Sequence, residues 1–215
     1  MSYRVKELFH TLQGEGAHTG RSAVFCRFTG CNLWSGHPEQ RASAVCQFCD
    51  TDFVGTDGPG GGVFETSDQV AAAAAQTWTA GVGSDDASHR FVVCTGGEPL
   101  LQLDEALIGA LHDEGFTVAI ETNGTKPVPP GVDWVCVSPK AGAEVVIGEA
   151  DELKLVYPQD GAPPDRYRHI VATHRFLQPM DGPDLDANTA AAVDYCRSHP
   201  RWRLSLQTHK YLGIP

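Results

Sequence analysis

Five polar clusters punctuate this chain, each placed directly after a short apolar run. Thr95-Gly96-Gly97-Glu98-Pro99 follows Arg90 to Cys94, Thr122-Asn123-Gly124 follows Phe116 to Glu121, and Ser138-Pro139-Lys140 follows Asp133 to Val137. Gln178-Pro179-Met180-Asp181 follows Arg175 to Leu177, and Gln207-Thr208-His209-Lys210 follows Trp202 to Leu206. Apolar runs this short, bounded by turn residues, read as buried strands, as do Ser22 to Phe28 and Glu152 to Tyr157. Between them lie helical patterns. Ser67 can cap a helix running to about Trp78, and Gln102 to Glu114 carries Leu103, Ala106, Leu107, Ala110 and Leu111 at helical spacing before Gly115. Asp186 to Arg197 forms a third.

Such alternation predicts an α/β fold with a mostly parallel sheet. Convincing helices are fewer than strands, so the expected architecture is an abbreviated, open TIM-like barrel in a single domain over residues 1–215. Gly55 to Val63 reads as a flexible surface loop. Ligands of α/β sheets and barrels gather at the carboxyl ends of the strands. Turn chemistry explains any one of the five clusters, but not the Thr, Gln and Lys content of them all. One rim is expected to carry a site.

Net charge narrows the partners. At −11 the chain is a poor ligand for free nucleic acid, which requires clustered Lys and Arg. No apolar stretch of about 18 residues is present, so no membrane span is expected. Met1 to Glu7 resembles neither a signal nor a transit peptide, which makes the cytoplasm the expected address. In that compartment seven cysteines suggest metal ligands or buried thiols, not disulfides.

Cys46-Gln47-Phe48-Cys49 places two thiols within reach of one metal centre, and Cys31 precedes Cys46 by 14 positions. Three cysteines underfill a structural zinc site but suit an iron–sulfur cubane with one open iron. His37, between the outer cysteines, could complete a Cys₃His zinc site instead. Cys26, Cys94 and Cys136 lie in apolar strand runs and Cys196 on a helix, where each reads as a small buried hydrophobe.

Gly30-Cys31-Asn32-Leu33-Trp34, Cys46-Gln47-Phe48-Cys49-Asp50-Thr51 and Thr95-Gly96-Gly97-Glu98-Pro99 together resemble the radical S-adenosylmethionine superfamily. Phe9-His10-Thr11-Leu12-Gln13-Gly14-Glu15-Gly16 and Glu121-Thr122-Asn123-Gly124 are similar to its 7-carboxy-7-deazaguanine synthase family. The usual CxxxCxxC spacing would put a cysteine at Ser35. Here an insertion over residues 32–45 lengthens the loop, and Cys46 takes that role, with Cys26 as the fallback ligand.

The resemblance implies conversion of 6-carboxy-5,6,7,8-tetrahydropterin to 7-carboxy-7-deazaguanine with loss of ammonia. It also implies a [4Fe–4S] cluster on Cys31, Cys46 and Cys49, S-adenosylmethionine, and Mg²⁺ at Thr51, the radical chemistry being carried by the cofactor and not by a catalytic side chain. Cofactor contacts are expected from Phe48, Cys49, Asp50, Gly97, Ser138, Pro139, Lys140, Gln178, Pro179, Met180 and Asp181. Substrate contacts are expected from Leu12, Gln13, Gly14, Glu15, Arg27, Thr95 and Pro215. A flavodoxin-like electron donor and a homodimer complete the expectation. The rival readings are a radical activase acting on a protein or peptide, and a zinc-stabilised binding domain.

Overall fold

A computed structural model describes residues 2–83 and 88–215. Nine strands form one continuous sheet: β1 (Tyr3–Leu12), β2 (Ser22–Phe28), β3 (Gly62–Phe64), β4 (Phe91–Gly96), β5 (Thr117–Thr122), β6 (Trp134–Val137), β7 (Glu149–Tyr157), β8 (Val171–Pro179) and β9 (Arg203–Leu204). Their spatial order is β3-β1-β2-β4-β5-β6-β7-β8-β9. From β2 onward every neighbouring pair is parallel, whereas β1 pairs antiparallel with β2 and with β3. Four α-helices occur among the described residues: α1 (Ser67–Val82), α2 (Glu105–Asp113), α3 (Leu185–Ser198) and α4 (Thr208–Leu212). The sheet is therefore open and mostly parallel, with fewer helices than strands.

Period-two alternation divides the sheet faces. Val24, Cys26, Val92, Cys94, Val118 and Ile120 point to one face and pack with Val70, Ala74, Trp78, Leu107 and Leu111 of α1 and α2. Leu153, Leu155 and Leu177 continue this face under Ala192 of α3. Ala23, Phe91, Val93 and Ala119 form a second buried cluster on the opposite face. Arg27, Thr95 and Glu121, further along these strands, face a cavity with Lys154 of β7 and Gln178 of β8.

Capping explains the helix starts. Thr66 Oγ1 accepts the Gln69 amide at 3.3 Å, so Thr66 and not Ser67 is the N-cap of α1. Asp104 accepts from the Leu107 amide and starts α2 after the Pro99–Leu101 turn, later than the apolar periodicity suggests. Three elements differ from the sequence reading. β1 was hidden because its register shifts between Val5 and Glu7, so the buried positions run Tyr3, Val5, Leu8 and break the alternation. Gly62 and Val63, at the end of the expected Gly55–Val63 loop, form β3 with Phe64 and pair with Tyr3–Val5. The last polar cluster coils into α4 instead of merely ending a strand.

Candidate active site

A cavity of about 420 Å³ opens at the carboxyl ends of the parallel strands, a size usual for small-molecule sites. All five polar clusters contribute to its wall, through Thr95, Gly96 and Gly97, Thr122 and Asn123, Ser138 and Lys140, Gln178 to Asp181, and Gln207, His209 and Lys210. Cys31, Cys46, Phe48, Cys49, Asp50 and Thr51 line it as well, together with Leu12 to Glu15, Arg27 and Pro215. Of the residues expected to contact cofactor or substrate, Pro139 lies off the wall, its carbonyl accepting from Gln159 Nε2 at 3.5 Å.

Three thiols, none in a disulfide, share this wall. Burial pushes the Cys31 and Cys46 thiols above their ordinary pKa. Among the described residues no three His, Cys, Asp or Glu side chains stand at metal-holding distance. Thiols must lose their protons to ligate, so convergence is coupled to metal binding. Lys140 suits such a centre. Its ammonium donates to Ser138 O at 2.6 Å and Ser138 Oγ at 2.7 Å, and it lies 5.9 Å from the Phe48 ring centroid. Burial pushes the Lys140 pKa down, while charge on Cys46 and Cys49 would raise it. The two alternative ligands lie off this wall. Cys26 is buried on the helix-facing side, hydrogen-bonded to Cys94. His37 is exposed and off the cavity wall.

Loop packing fixes the cysteine turn. A Cβ at Gly97 would sit 1.9 Å from Gly30 O and 3.0 Å from Cys31 Cβ. Glycine is therefore required at position 97 by protein packing, besides any approach to a cofactor. Glu98 is fully buried. It accepts from Thr122 Oγ1 at 2.7 Å, the Leu100 amide at 3.0 Å and the Asn123 amide at 2.8 Å. Asn123 Nδ2 then donates to Asn32 Oδ1 at 3.0 Å, tying the β5 loop to the cysteine loop. Glu98 shapes these loops.

The deeper wall is a charged network. Lys154 Nζ donates to Glu15 Oε2 at 2.5 Å and Glu121 Oε2 at 3.0 Å. Gln13 Nε2 donates to Glu121 Oε1 at 2.9 Å, and Gln207 Nε2 to Glu15 Oε1 at 3.0 Å. Burial alone would raise the Glu15 pKa, but the Lys154 charge and hydrogen bond, with Gln207, hold it down to about 2. Lys154 is a site residue that the sequence analysis does not identify, and Gln207 enters it only as part of the fifth polar cluster. The inward phase of a lysine within the apolar run Glu152–Tyr157 was the available signal.

Arg27 donates through Nε to Glu7 Oε1 at 2.7 Å and lies 5.8 Å from the Phe9 ring centroid. Its two Nη atoms have no protein acceptor among the described residues, so a cation fork remains free at the cavity. Asp50 and Asp181 both pair with Lys210, at 2.7 and 2.5 Å, and Asp52 pairs with Lys6 at 3.0 Å. Thr51 thus stands between two carboxylates already engaged by lysines. Gln178 Oε1 accepts from Ser205 Oγ at 3.3 Å, and Met180 N donates to Tyr157 O at 2.8 Å. The Gly14 carbonyl accepts from Thr208 N and Oγ1, both at 2.9 Å, and the Pro215 carbonyl accepts from Thr11 Oγ1 at 2.9 Å.

No family model matches the chain. It is 62% identical to 7-carboxy-7-deazaguanine synthase of Bordetella pertussis and 63% identical to that of Caulobacter vibrioides, each across the full length of both chains. The chain belongs to the 7-carboxy-7-deazaguanine synthase family. Its backbone matches the crystal structure of QueE from Escherichia coli with a TM-score of 0.68 and 27% identity, covering 96% of this chain and 94% of the other. Membership makes it a radical S-adenosylmethionine enzyme of 7-deazapurine biosynthesis, a family that implies a [4Fe–4S] cluster. No helix among the described residues is long and apolar enough to cross a membrane.

Proposed function

We propose that Cys31, Cys46 and Cys49 hold the cluster and that the cavity between it and the Lys154 network converts 6-carboxy-5,6,7,8-tetrahydropterin to 7-carboxy-7-deazaguanine. The observation that carries this reading is one cavity whose wall holds three thiols on one side and carboxylate–amide groups on the other. When bound, the cluster and S-adenosylmethionine would supply a 5′-deoxyadenosyl radical to take hydrogen from C6, with ring contraction and loss of ammonia following.

The chain's own residues then bind and orient. Gly97, Phe48, Cys49 and Asp50, with Ser138 and Lys140 and the Gln178–Asp181 segment, would surround the cofactor near the thiols. Burial favours neutral Lys140, whereas cluster thiolates would favour its charged form. Arg27 would grip the substrate carboxylate with its free Nη pair. Gln13, Glu15 and Glu121 present amide and carboxylate oxygens to the guanidine-like edge of the pterin, and Lys154 bridges the two carboxylates and holds the Glu15 pKa down. Leu12, Gly14, Thr95 and Pro215 complete that wall. The Thr51 hydroxyl is a hard oxygen suited to Mg²⁺ with substrate and water. The continuous sheet supports a single domain over residues 1–215. We also propose a flavodoxin-like electron donor, a homodimer and a cytoplasmic address.

One turnover assay tests the assignment, using reduced enzyme, S-adenosylmethionine, Mg²⁺ and the carboxytetrahydropterin. Cys31→Ala is expected to abolish product, whereas Cys196→Ala, on α3 away from the cavity, is expected to leave it intact. Full activity in Cys31→Ala would overturn the ligand set.

A further inference from the structure

The 32–45 insertion is folded back onto the cysteine turn that it precedes. Its ends are pinned together, because the Val45 and Cys46 amides both donate to Leu33 O, at 3.1 and 3.2 Å. Within it the Pro38–Ser43 turn carries Arg41, whose Nη1 donates to the carbonyls of Gln47 and Cys49, both at 2.9 Å. The guanidinium is stacked 4.0 Å over the Trp34 ring, and Trp34 Nε1 donates to His37 O at 3.3 Å. A return tie runs from Gln47 Nε2 to Ala42 O at 3.1 Å. Arg41 has no carboxylate partner among the described residues and does not line the cavity. Its guanidinium hydrogen bonds both go to carbonyls of the Cys46–Cys49 turn.

We propose that Arg41 is a positioning residue for the cluster: it sets the shape of the Cys46-Gln47-Phe48-Cys49 turn from outside the cavity and stabilises the reduced cluster by its charge. This rests on the reading of Cys31, Cys46 and Cys49 as ligands. The physical case has two parts. Two hydrogen bonds from one nitrogen of a stacked, half-buried guanidinium fix the Gln47 and Cys49 carbonyls, and so the shape of the turn that carries both thiols. A fixed cation beside the thiolates also favours the state with one more electron, and hydrogen bonding and charge near a cluster set its potential. The electron comes from a low-potential one-electron reductant. The insertion therefore replaces close cysteine spacing with a clamp of its own.

The test uses reconstituted full-length protein, with iron and sulfide content and an EPR-monitored reductive titration as readouts. Wild-type protein holding about four irons per chain, with Cys31→Ala failing to hold them, tests the ligand reading independently. Arg41→Met is expected to make reduction about tenfold less favourable, a midpoint about 59 mV more negative for one electron. Arg41→Lys, which keeps the charge, is expected to restore most of that shift. Failure of Arg41→Met alone to hold iron, with Arg41→Lys loading, supports the proposal through the turn. Both variants loading fully with the wild-type midpoint would overturn it, as would equal shifts in both. If neither variant loads while both apo proteins melt at the wild-type temperature, the charge part is overturned.

Discussion

At the scale of single residues, the site depends on charges that would be costly alone. Lys154 is 4% exposed in its side chain and has two carboxylate partners. Lys154→Met would leave Glu15 and Glu121 facing each other without a cation, at a cost of about 3–5 kcal/mol. Denaturant unfolding measures it, and an unchanged midpoint would show that the network is not stabilising. The pH dependence follows in sign. Glu15 sits near pKa 2 in the folded chain and near 4 unfolded, so it contributes stability that is full above about pH 5 and lost as pH falls toward 2. Lys154 is raised, so its contribution is full below its ordinary pKa near 10.4 and lost only as pH rises beyond it. Thermal melts from pH 7 to pH 2 should show a loss that shrinks in Lys154→Met. Gly97→Ala drives a Cβ to 1.9 Å from Gly30 O; overpacking of this kind costs about 1–3 kcal/mol. Iron content should fall with it, whereas Gly109→Ala, with open space around it, should load normally.

Elements were legible where a single periodicity governed them. β4 and β5 are unbroken apolar runs and α2 has regular helical spacing, and the sequence located all three within a few residues. β1 did not, because its bulge changes the phase at Val5 and brings polar Lys6 to a buried position. α4 is five residues long, and its reason to exist is tertiary: Thr208 caps the Gly14 carbonyl and Lys210 joins Asp50 to Asp181. The polar rim was readable because strand ends announce themselves by turn residues. The partners of Glu15 were not, since nothing local to Gly14-Glu15-Gly16 encodes a lysine 139 positions away. At this scale, Lys210→Met releases the α4 contact from both aspartates. Expected outcomes are a several-fold rise in KM, unaltered iron content and a melting temperature within a few degrees of wild type. An unaltered KM would show that α4 does not hold the cavity mouth.

For the whole molecule, the open sheet explains how one chain brings distant segments to one place. Seven parallel strands deliver loops to the same edge, and the antiparallel β1 adds Phe9 and Leu12 to the cavity from the other direction. The helix-covered face stabilises this frame; Trp78, 3% exposed between His10 and Phe116, is one anchor. The account stands on a cluster whose fourth corner is left for S-adenosylmethionine. EPR of the reduced wild-type protein, recorded with and without S-adenosylmethionine, tests this directly. A four-iron signal whose g values change on adding the compound, and which is missing in Cys31→Ala, is the expected result. A signal indifferent to S-adenosylmethionine, or a colourless protein holding stoichiometric zinc, would contradict it.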